Sequence, residues 1–236
     1  MGAITLIRHG QASFGAADYD RLSPVGVRQA HVVAADLAKR RVRVDAIVRG
    51  RMFRHEMTAR PVAERYAGNG PGPVETSVDS AFDEFDAKGV WETYVPELAE
   101  GDPEMAELLG RIPADMAAFE RVFGLATLRW ASGEHDRPGL GTWVEFTERV
   151  NDGLSRLADT CGKDGHAVVF TSAGAISVAV QTALGLSAEK TLELALWMNN
   201  ASFTRLITTR RGLALAGFNE IHHLAACGDD DLITLR

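Results

Sequence analysis

The stretch Ile4-Thr5-Leu6-Ile7-Arg8-His9-Gly10 decides the fold. A short apolar run ends abruptly in a cation, an imidazole and a glycine, a pattern typical of a buried strand in a parallel sheet. Ligands of α/β folds collect beyond the carboxyl ends of such strands, so we expect Arg8 and His9 to face a substrate crevice. Gly10 permits a sharp backbone turn, or the close approach of a ligand, because it has no Cβ.

The composition predicts one soluble domain. The chain has 236 residues, of which 46% are hydrophobic and 24% charged, with a net charge of −7. This balance, without a basic face, argues against nucleic-acid binding. Cys161 and Cys227 are too few and too far apart for a zinc site or a disulfide framework, and no apolar stretch is long enough to span a bilayer. We therefore expect a cytoplasmic protein that binds no membrane.

The first part of the chain alternates strands with helices. Ser23 is a helix-capping residue and opens a helix over 24–40. A strand over 42–48, a helix over 52–66 and a short strand over 74–78 follow. Because a helical crossover joins parallel strands, we expect the first two strands to be neighbours in the sheet.

The remainder predicts an inserted helical cap at about 91–141, followed by a further helix over 142–160. An interior strand over 166–171 then turns through small residues into a helix over 175–184, and a C-terminal hairpin covers 202–218. The fold class is α/β, with three layers, in which helices flank a mainly parallel sheet within a single domain, 1–236. An exposed edge strand in the hairpin is compatible with a homodimer.

Four motifs stand out together along the chain. They are Arg8-His9-Gly10, the helix start Leu22-Ser23-Pro24-Val25-Gly26-Val27-Arg28-Gln29-Ala30, Arg54 four residues before Thr58-Ala59, and the strand, turn and helix near Thr171. In this order and spacing they resemble the histidine phosphatase superfamily, which includes phosphoglycerate mutases and many small-molecule phosphatases. The resemblance covers most of the chain apart from the cap. It implies a phosphoryl-transfer enzyme.

The resemblance assigns roles to four residues. His9 is implied to be the nucleophile, and a neutral imidazole can attack phosphorus to form a covalent intermediate. Arg8 and Arg54 are expected to clamp the phosphoryl oxygens. Glu84 best matches the acid that protonates the leaving group, and we expect the neighbouring Asp83 and Asp86 to raise its pKa by charge repulsion. No metal or other cofactor is required, because the arginines supply the charge.

One position departs from the family pattern. The family places a second histidine before two glycines at the end of the late strand, whereas this chain reads Thr171-Ser172-Ala173-Gly174. We expect Ser172 and Ala173 to bind phosphate through a hydroxyl and backbone N–H groups. A lost transition-state donor costs about 10² to 10³ in rate. Three other histidines are candidates to restore the charge: His55, His222 and His223.

These residues indicate hydrolysis of a small phosphorylated metabolite through a phosphohistidine. A phosphate-binding regulatory protein without turnover is the main alternative, and Ser172 motivates it. Phosphoglycerate mutase activity is a weaker alternative, because nothing in the altered pocket indicates it. In a fourth interpretation, Ser172 is the nucleophile of an esterase with His222 or His223 as its base, although the turn lacks the first glycine of the Gly-x-Ser-x-Gly elbow.

Overall fold

One six-stranded sheet forms the centre of the protein. The computed structural model describes residues 2–13, 20–67, 75–112 and 114–235, and all structural statements below concern these residues. The strands are β1 (Ala3–Arg8), β2 (Ala46–Arg49), β3 (Thr76–Val78), β4 (His166–Thr171), β5 (Phe203–Thr209) and β6 (Gly212–Glu220). Their order is β3-β2-β4-β1-β5-β6, with the first four parallel to one another and the last two forming an antiparallel hairpin beside β1.

Helices cover both faces of the sheet. They are α1 (Pro24–Lys39), α2 (Phe53–Tyr66), α3 (Ala87–Ala99), α4 (Pro103–Arg111), α5 (Met116–Ala131), α6 (Trp143–Cys161), α7 (Ala173–Leu184), α8 (Ala188–Leu196) and α9 (His222–Ala225). Successive strand residues enter opposite layers: Leu6 packs into the core beneath α6 and α7, whereas Ile7 packs into the core beneath α1 and α2. A strand buried on both faces accounts for the unbroken apolar run near the N-terminus. The predicted α/β class is confirmed.

The predicted pairing of the first two strands is wrong. β4 lies between them and pairs in parallel with β1 on one side and with β2 on the other. The crossover rule sets the direction and handedness of a connection but leaves room for a later strand to enter. β4 is fully buried from Ala167 to Phe170. A central position is the most buried one in the sheet, and it is occupied by the most apolar strand. Its carboxyl end consequently lies between the ends of β1 and β2.

Other boundaries differ by a few residues. The second strand is confined to Ala46–Arg49, and α7 begins at Ala173, two residues before the predicted start. The short helix α8 was not predicted. The helices of the proposed cap begin at Ala87, where the Asp86 side chain accepts from the N–H of Gly89. Residues 14–19 of the predicted loop after Gly10 and position 74 of the third strand lie outside the described residues.

A close approach of two backbones explains the glycine of the N-terminal motif. A Cβ on Gly10 would lie 2.5 Å from the carbonyl oxygen of Gly26, in the first turn of α1. Conversely, a Cβ on Gly26 would lie 2.1 Å from the carbonyl oxygen of Gln11. The sequence left two roles open for Gly10, a sharp turn or the close approach of a ligand. The structure shows a close approach, but the group that approaches Gly10 is the helix α1.

We expect Gly26→Ala to destabilise the fold by about 1–3 kcal/mol, because the added methyl group meets backbone that cannot rotate away. Chemical denaturation with urea measures the change in free energy of unfolding. Gly110→Ala is the matched control, since Gly110 is also helical and a Cβ there would meet nothing within 4 Å. An equal effect of the two substitutions would contradict the role given to the close approach.

Candidate active site

His9 lies where β1 ends, at the carboxyl edge of the sheet. Its N–H donates to the carbonyl of Thr171 at 2.9 Å, which ties it to the end of β4. Its side-chain Nδ1 lies 2.8 Å from the carbonyl oxygen of Gly10. Because a carbonyl only accepts, Nδ1 carries the proton of the neutral ring, and Nε2 keeps its lone pair. The ring borders a cavity at this edge of the sheet.

The surroundings keep His9 neutral. Burial lowers the pKa of its imidazole well below 6.5, and the positive charges of Arg54 and Arg8 lower it further. The hydrogen bond to Gly10 acts in the opposite direction but does not reverse the shift. A neutral imidazole with a free Nε2 lone pair is the form that can attack phosphorus.

Two arginines line the same cavity. Arg54, in the first turn of α2, is buried, and its Nη1 donates to Asp20 at 2.7 Å while its Nη2 lies 3.5 Å from Ser172 Oγ. Arg8, at the end of β1, donates to the carbonyl oxygens of Met198 and Leu235. Guanidinium groups held by such contacts present donors in a fixed orientation, as phosphoryl groups require.

Glu84 precedes α3 and also lines the cavity. One carboxylate oxygen accepts from the N–H of Gly174 at 3.0 Å, and the other accepts from its neighbour Phe85 at 3.1 Å. Burial raises the pKa of Glu84, against the opposing effects of the Gly174 hydrogen bond and the positive charge of Arg54. The carboxyl group is therefore biased towards the protonated form that donates to a leaving group.

The expected cause of this shift is wrong, although its direction is confirmed. Asp83 is neutralised by Arg51, whose backbone N–H and Nε donate to the carboxylate at 2.6 Å each. Asp86 faces the first turn of α3. With both neighbouring carboxylates engaged in this way, burial, not repulsion between acidic groups, raises the pKa of Glu84.

Ser172 lies one layer behind the cavity wall. The cavity is lined at this point by Ala173, whereas Ser172 is 1% exposed. Ser172 occupies the N-cap position of α7, yet its hydroxyl makes no capping bond, because Glu84 accepts from the Gly174 N–H instead. Its Oγ contacts Nε2 of His55 at 2.7 Å.

The three candidate replacement histidines lie in different places. His55 is fully buried beside Ser172, with its ring 5.8 Å from that of His9. His223 contacts the carbonyl of Ala201 through Nε2, and burial lowers its pKa to about 4. His222 lies beside Asp36 and Arg40. The base proposed for an esterase is thus misplaced, since His55 occupies the position beside Ser172 that His222 or His223 was expected to take.

The sequence interpretation missed an aromatic wall that the cap helices contribute. The cavity has a volume of about 990 Å³. Stacked rings follow one another along it: Trp91 and Phe119 at 5.2 Å, Phe119 and Phe123 at 5.8 Å, and Phe123 and Phe85 at 6.4 Å between centroids. The recurrence of Phe119 and Phe123 four residues apart on one helix was the available signal. Leu192 and Leu196 of α8 add aliphatic surface.

Neither a metal-binding cluster nor a membrane-spanning helix occurs among the described residues. They contain no group of three or more His, Cys, Asp or Glu side chains arranged to hold a metal ion. Among their helices, none combines the length and the apolar character needed to cross a membrane.

The sequence and the fold both resemble those of known proteins. The profile of the histidine phosphatase superfamily (branch 1) matches residues 4–122 and 115–221. No curated protein matches the sequence. Among solved structures, a phosphoserine phosphatase mutant of Entamoeba histolytica in complex with phosphoserine is similar, with a TM-score of 0.63 and 20% identity over 95% of this chain and 100% of that one.

Two further similar structures carry other names. A mycobacterial glucosyl-3-phosphoglycerate phosphatase has a TM-score of 0.61 and 21% identity, covering 92% of this chain and 98% of its own. An alpha-ribazole phosphatase of Shigella flexneri has a TM-score of 0.60 and 18% identity, covering 92% and 96%. At these identities the likeness establishes the fold.

Proposed function

The chain belongs to the histidine phosphatase superfamily, branch 1, and from that premise we propose that it hydrolyses phosphomonoesters of small metabolites through a phosphohistidine at His9. The observation that carries the proposal is the state of His9. Its Nδ1 proton is committed to Gly10, its ring is neutral, and its free Nε2 belongs to a ring that borders the same cavity as Arg8 and Arg54.

In the first proposed step, Arg8 and Arg54 bind the phosphoryl oxygens. The Nε2 lone pair of His9 attacks phosphorus, and the bond to the ester oxygen breaks with its electron pair. That oxygen takes the proton of Glu84, so a neutral alcohol leaves. As the bond to phosphorus forms, the imidazole becomes positively charged while the Gly10 carbonyl holds Nδ1–H.

In the second proposed step, the Glu84 carboxylate takes a proton from water as the water attacks phosphorus. The P–N bond breaks, its electrons return to Nε2, and inorganic phosphate is released. Glu84 is then protonated again, so the cycle closes without another acid. Ala173 forms the cavity wall at the start of α7, and Ser172 acts from behind Arg54 in place of the family's second histidine.

Turnover of 4-nitrophenyl phosphate tests the proposed activity. We expect steady phosphate release and a phosphoryl adduct on the protein after rapid quenching at alkaline pH. Tight binding of inorganic phosphate with neither turnover nor an adduct would instead support a phosphate-binding regulatory protein. That alternative is kept because Ser172 brings no charge to the end of β4.

The cavity wall supports a narrower substrate class. We propose an ester whose alcohol is apolar or aromatic, since the stacked rings of the cap offer a flat apolar surface. Such rings stack favourably on other aromatic groups. The carboxylate group of phosphoserine would lose hydration against these rings without gaining a hydrogen-bond donor from them.

We expect kcat/KM for 1-naphthyl phosphate to exceed that for phosphoserine by at least about tenfold, which corresponds to about 1.4 kcal/mol. Trp91→Ala should reduce this preference, since it removes one end of the aromatic wall. Trp197→Ala is the matched control, because Trp197 is largely exposed and does not line the cavity. Equal kcat/KM values for both substrates in the wild-type protein would contradict the assignment.

A further inference from the structure

A buried hydrogen-bonded pair stands behind the phosphate-facing wall of the cavity. His55 follows Arg54 in the first turn of α2 and is fully buried. Its Nε2 lies 2.7 Å from Ser172 Oγ, and the same oxygen lies 3.5 Å from Arg54 Nη2. The contact joins residues 117 positions apart in the chain. His55 is thus connected to Arg54 in two ways: by the peptide bond between them and through the Ser172 hydroxyl, which contacts both side chains.

The ring of His55 sits in a slot that Gly50 leaves open. A Cβ on Gly50 would lie 2.4 Å from Nδ1, so no other residue fits there without displacing the ring. Among the described residues, Nδ1 has no hydrogen-bond partner. The ring and the Ser172 hydroxyl are joined by one hydrogen bond, which either group can donate.

The Ser172 oxygen lies between a neutral ring and a positive charge. Burial lowers the pKa of His55 well below 6.5, and the charges of Arg54 and Arg49 add to the effect, so the ring is neutral. The same oxygen contacts His55 on one side and the Arg54 guanidinium on the other. Ser172 is 1% exposed and does not line the cavity, which argues against Ser172 as a nucleophile.

The guanidinium of Arg54 is consequently held on two sides. Asp20 accepts from Nη1 at 2.7 Å, and Ser172 lies beside Nη2. Asp20 is partly exposed, with 40% of its side chain accessible, whereas Ser172 is buried. On the buried side the Ser172 hydroxyl lies next to Nη2, and the contact with His55 holds that hydroxyl in place.

We propose that His55 is a positioning residue which, through its hydrogen bond with Ser172, fixes the oxygen that Arg54 contacts and so sets how Arg54 meets a phosphoryl group. The role rests on the proposed function for its effect on turnover. Its effect on phosphate binding does not require turnover, because Arg54 meets the same oxygens in either case.

The test compares His55→Leu, His55→Gln, Ser172→Ala and the double variant His55→Leu/Ser172→Ala. Calorimetry measures the Kd of inorganic phosphate, and steady-state kinetics with 4-nitrophenyl phosphate measures kcat and KM. We expect His55→Leu to lower kcat/KM by about tenfold to 10²-fold, the range that a small misplacement of a binding group produces. It should also weaken phosphate binding severalfold. His55→Gln retains a hydrogen-bonding group near the same place and should recover most of both losses.

The double variant separates positioning from mere packing. If His55 acts through Ser172, the double variant should be no worse than the more damaging single variant, because coupled residues are non-additive. His166→Leu is the matched control, since His166 Nε2 contacts the Thr5 hydroxyl at 2.7 Å at the opposite end of β4. It should leave phosphate affinity and kcat/KM unchanged.

Additive losses in the double variant, or a folded His55→Gln variant as impaired as His55→Leu, would overturn the proposal. Equal losses in His166→Leu would do so as well. A wild-type protein that binds phosphate without turnover would refute the hydrolase but leave the affinity comparison valid. A wild-type protein that binds no phosphate would refute both.

Discussion

Replacement of His9 by alanine is expected to lower kcat/KM for 4-nitrophenyl phosphate by at least about 10³-fold, because removal of a covalent nucleophile leaves only binding and electrostatic stabilisation. The phosphoryl adduct should disappear with it. Phosphate binding should persist, since Arg8 and Arg54 keep their own contacts with Leu235 and Asp20.

The informative comparison is between turnover and phosphate affinity in the same variant. Loss of both would indicate that the cavity has collapsed, which thermal unfolding would reveal. His31→Ala is a suitable control, because His31 is exposed on α1 and does not line the cavity. An adduct that survives in His9→Ala would place the nucleophile elsewhere and contradict the proposed mechanism directly.

The strands and helix caps were predictable because their signals are local. β4 matches the predicted strand over 166–171, because a short apolar run between polar flanks is typical of a buried strand. α1 begins as predicted, where the Ser23 hydroxyl accepts from the N–H of Gly26 at 3.0 Å. The C-terminal hairpin, predicted over 202–218, is formed by β5 and β6.

The order of the strands was not predictable in the same way. The sequence shows that β4 is the most apolar strand, but adjacency depends on which edges remain open after all the helices have packed. Nothing between β1 and β2 indicates that a strand more than 100 residues later will separate them. That insertion brings Ser172 to the end of β1, so the arrangement of the site depends on it.

The side-chain contacts behind the candidate site were not predictable from local signals either. Arg8, His9, Arg54 and Glu84 were selected from motifs, and the structure brings all four to one cavity, while their catalytic roles stay predictions. The contacts of Asp20 with Arg54 and of His55 with Ser172 join distant segments and leave no local pattern. The available signal for His55 was its position directly after an arginine at the start of a helix.

Substitution of Glu84 by glutamine is expected to have the second largest effect, and the effect should depend on the leaving group. General acid catalysis contributes about 10²- to 10⁴-fold when the departing oxygen is strongly basic. An alkyl phosphate should therefore lose activity over that range. An aryl phosphate, whose leaving group departs as a stable anion, should lose much less in kcat/KM.

The pH dependence of turnover also tests Glu84 as the general acid. Turnover requires His9 without its proton and Glu84 with one, so activity should fall at low pH only as the lowered pKa of His9 is reached. It should fall again at higher pH as Glu84, whose pKa burial raises, loses its proton. The wild-type profile of kcat/KM should thus be bell-shaped, with an acidic limb set by His9 and an alkaline limb set by Glu84.

Glu84→Gln should remove the alkaline limb of that bell and keep the acidic one, because the amide does not ionise while His9 is unchanged. Glu92→Gln provides the control, since Glu92 lines the same cavity from α3 and is exposed. An alkaline limb that persists in Glu84→Gln would assign it to another group. A loss of equal size for alkyl and aryl esters would indicate that Glu84 orders the start of α7 through Gly174 and donates no proton, and the acid would then have to be sought elsewhere along the cavity.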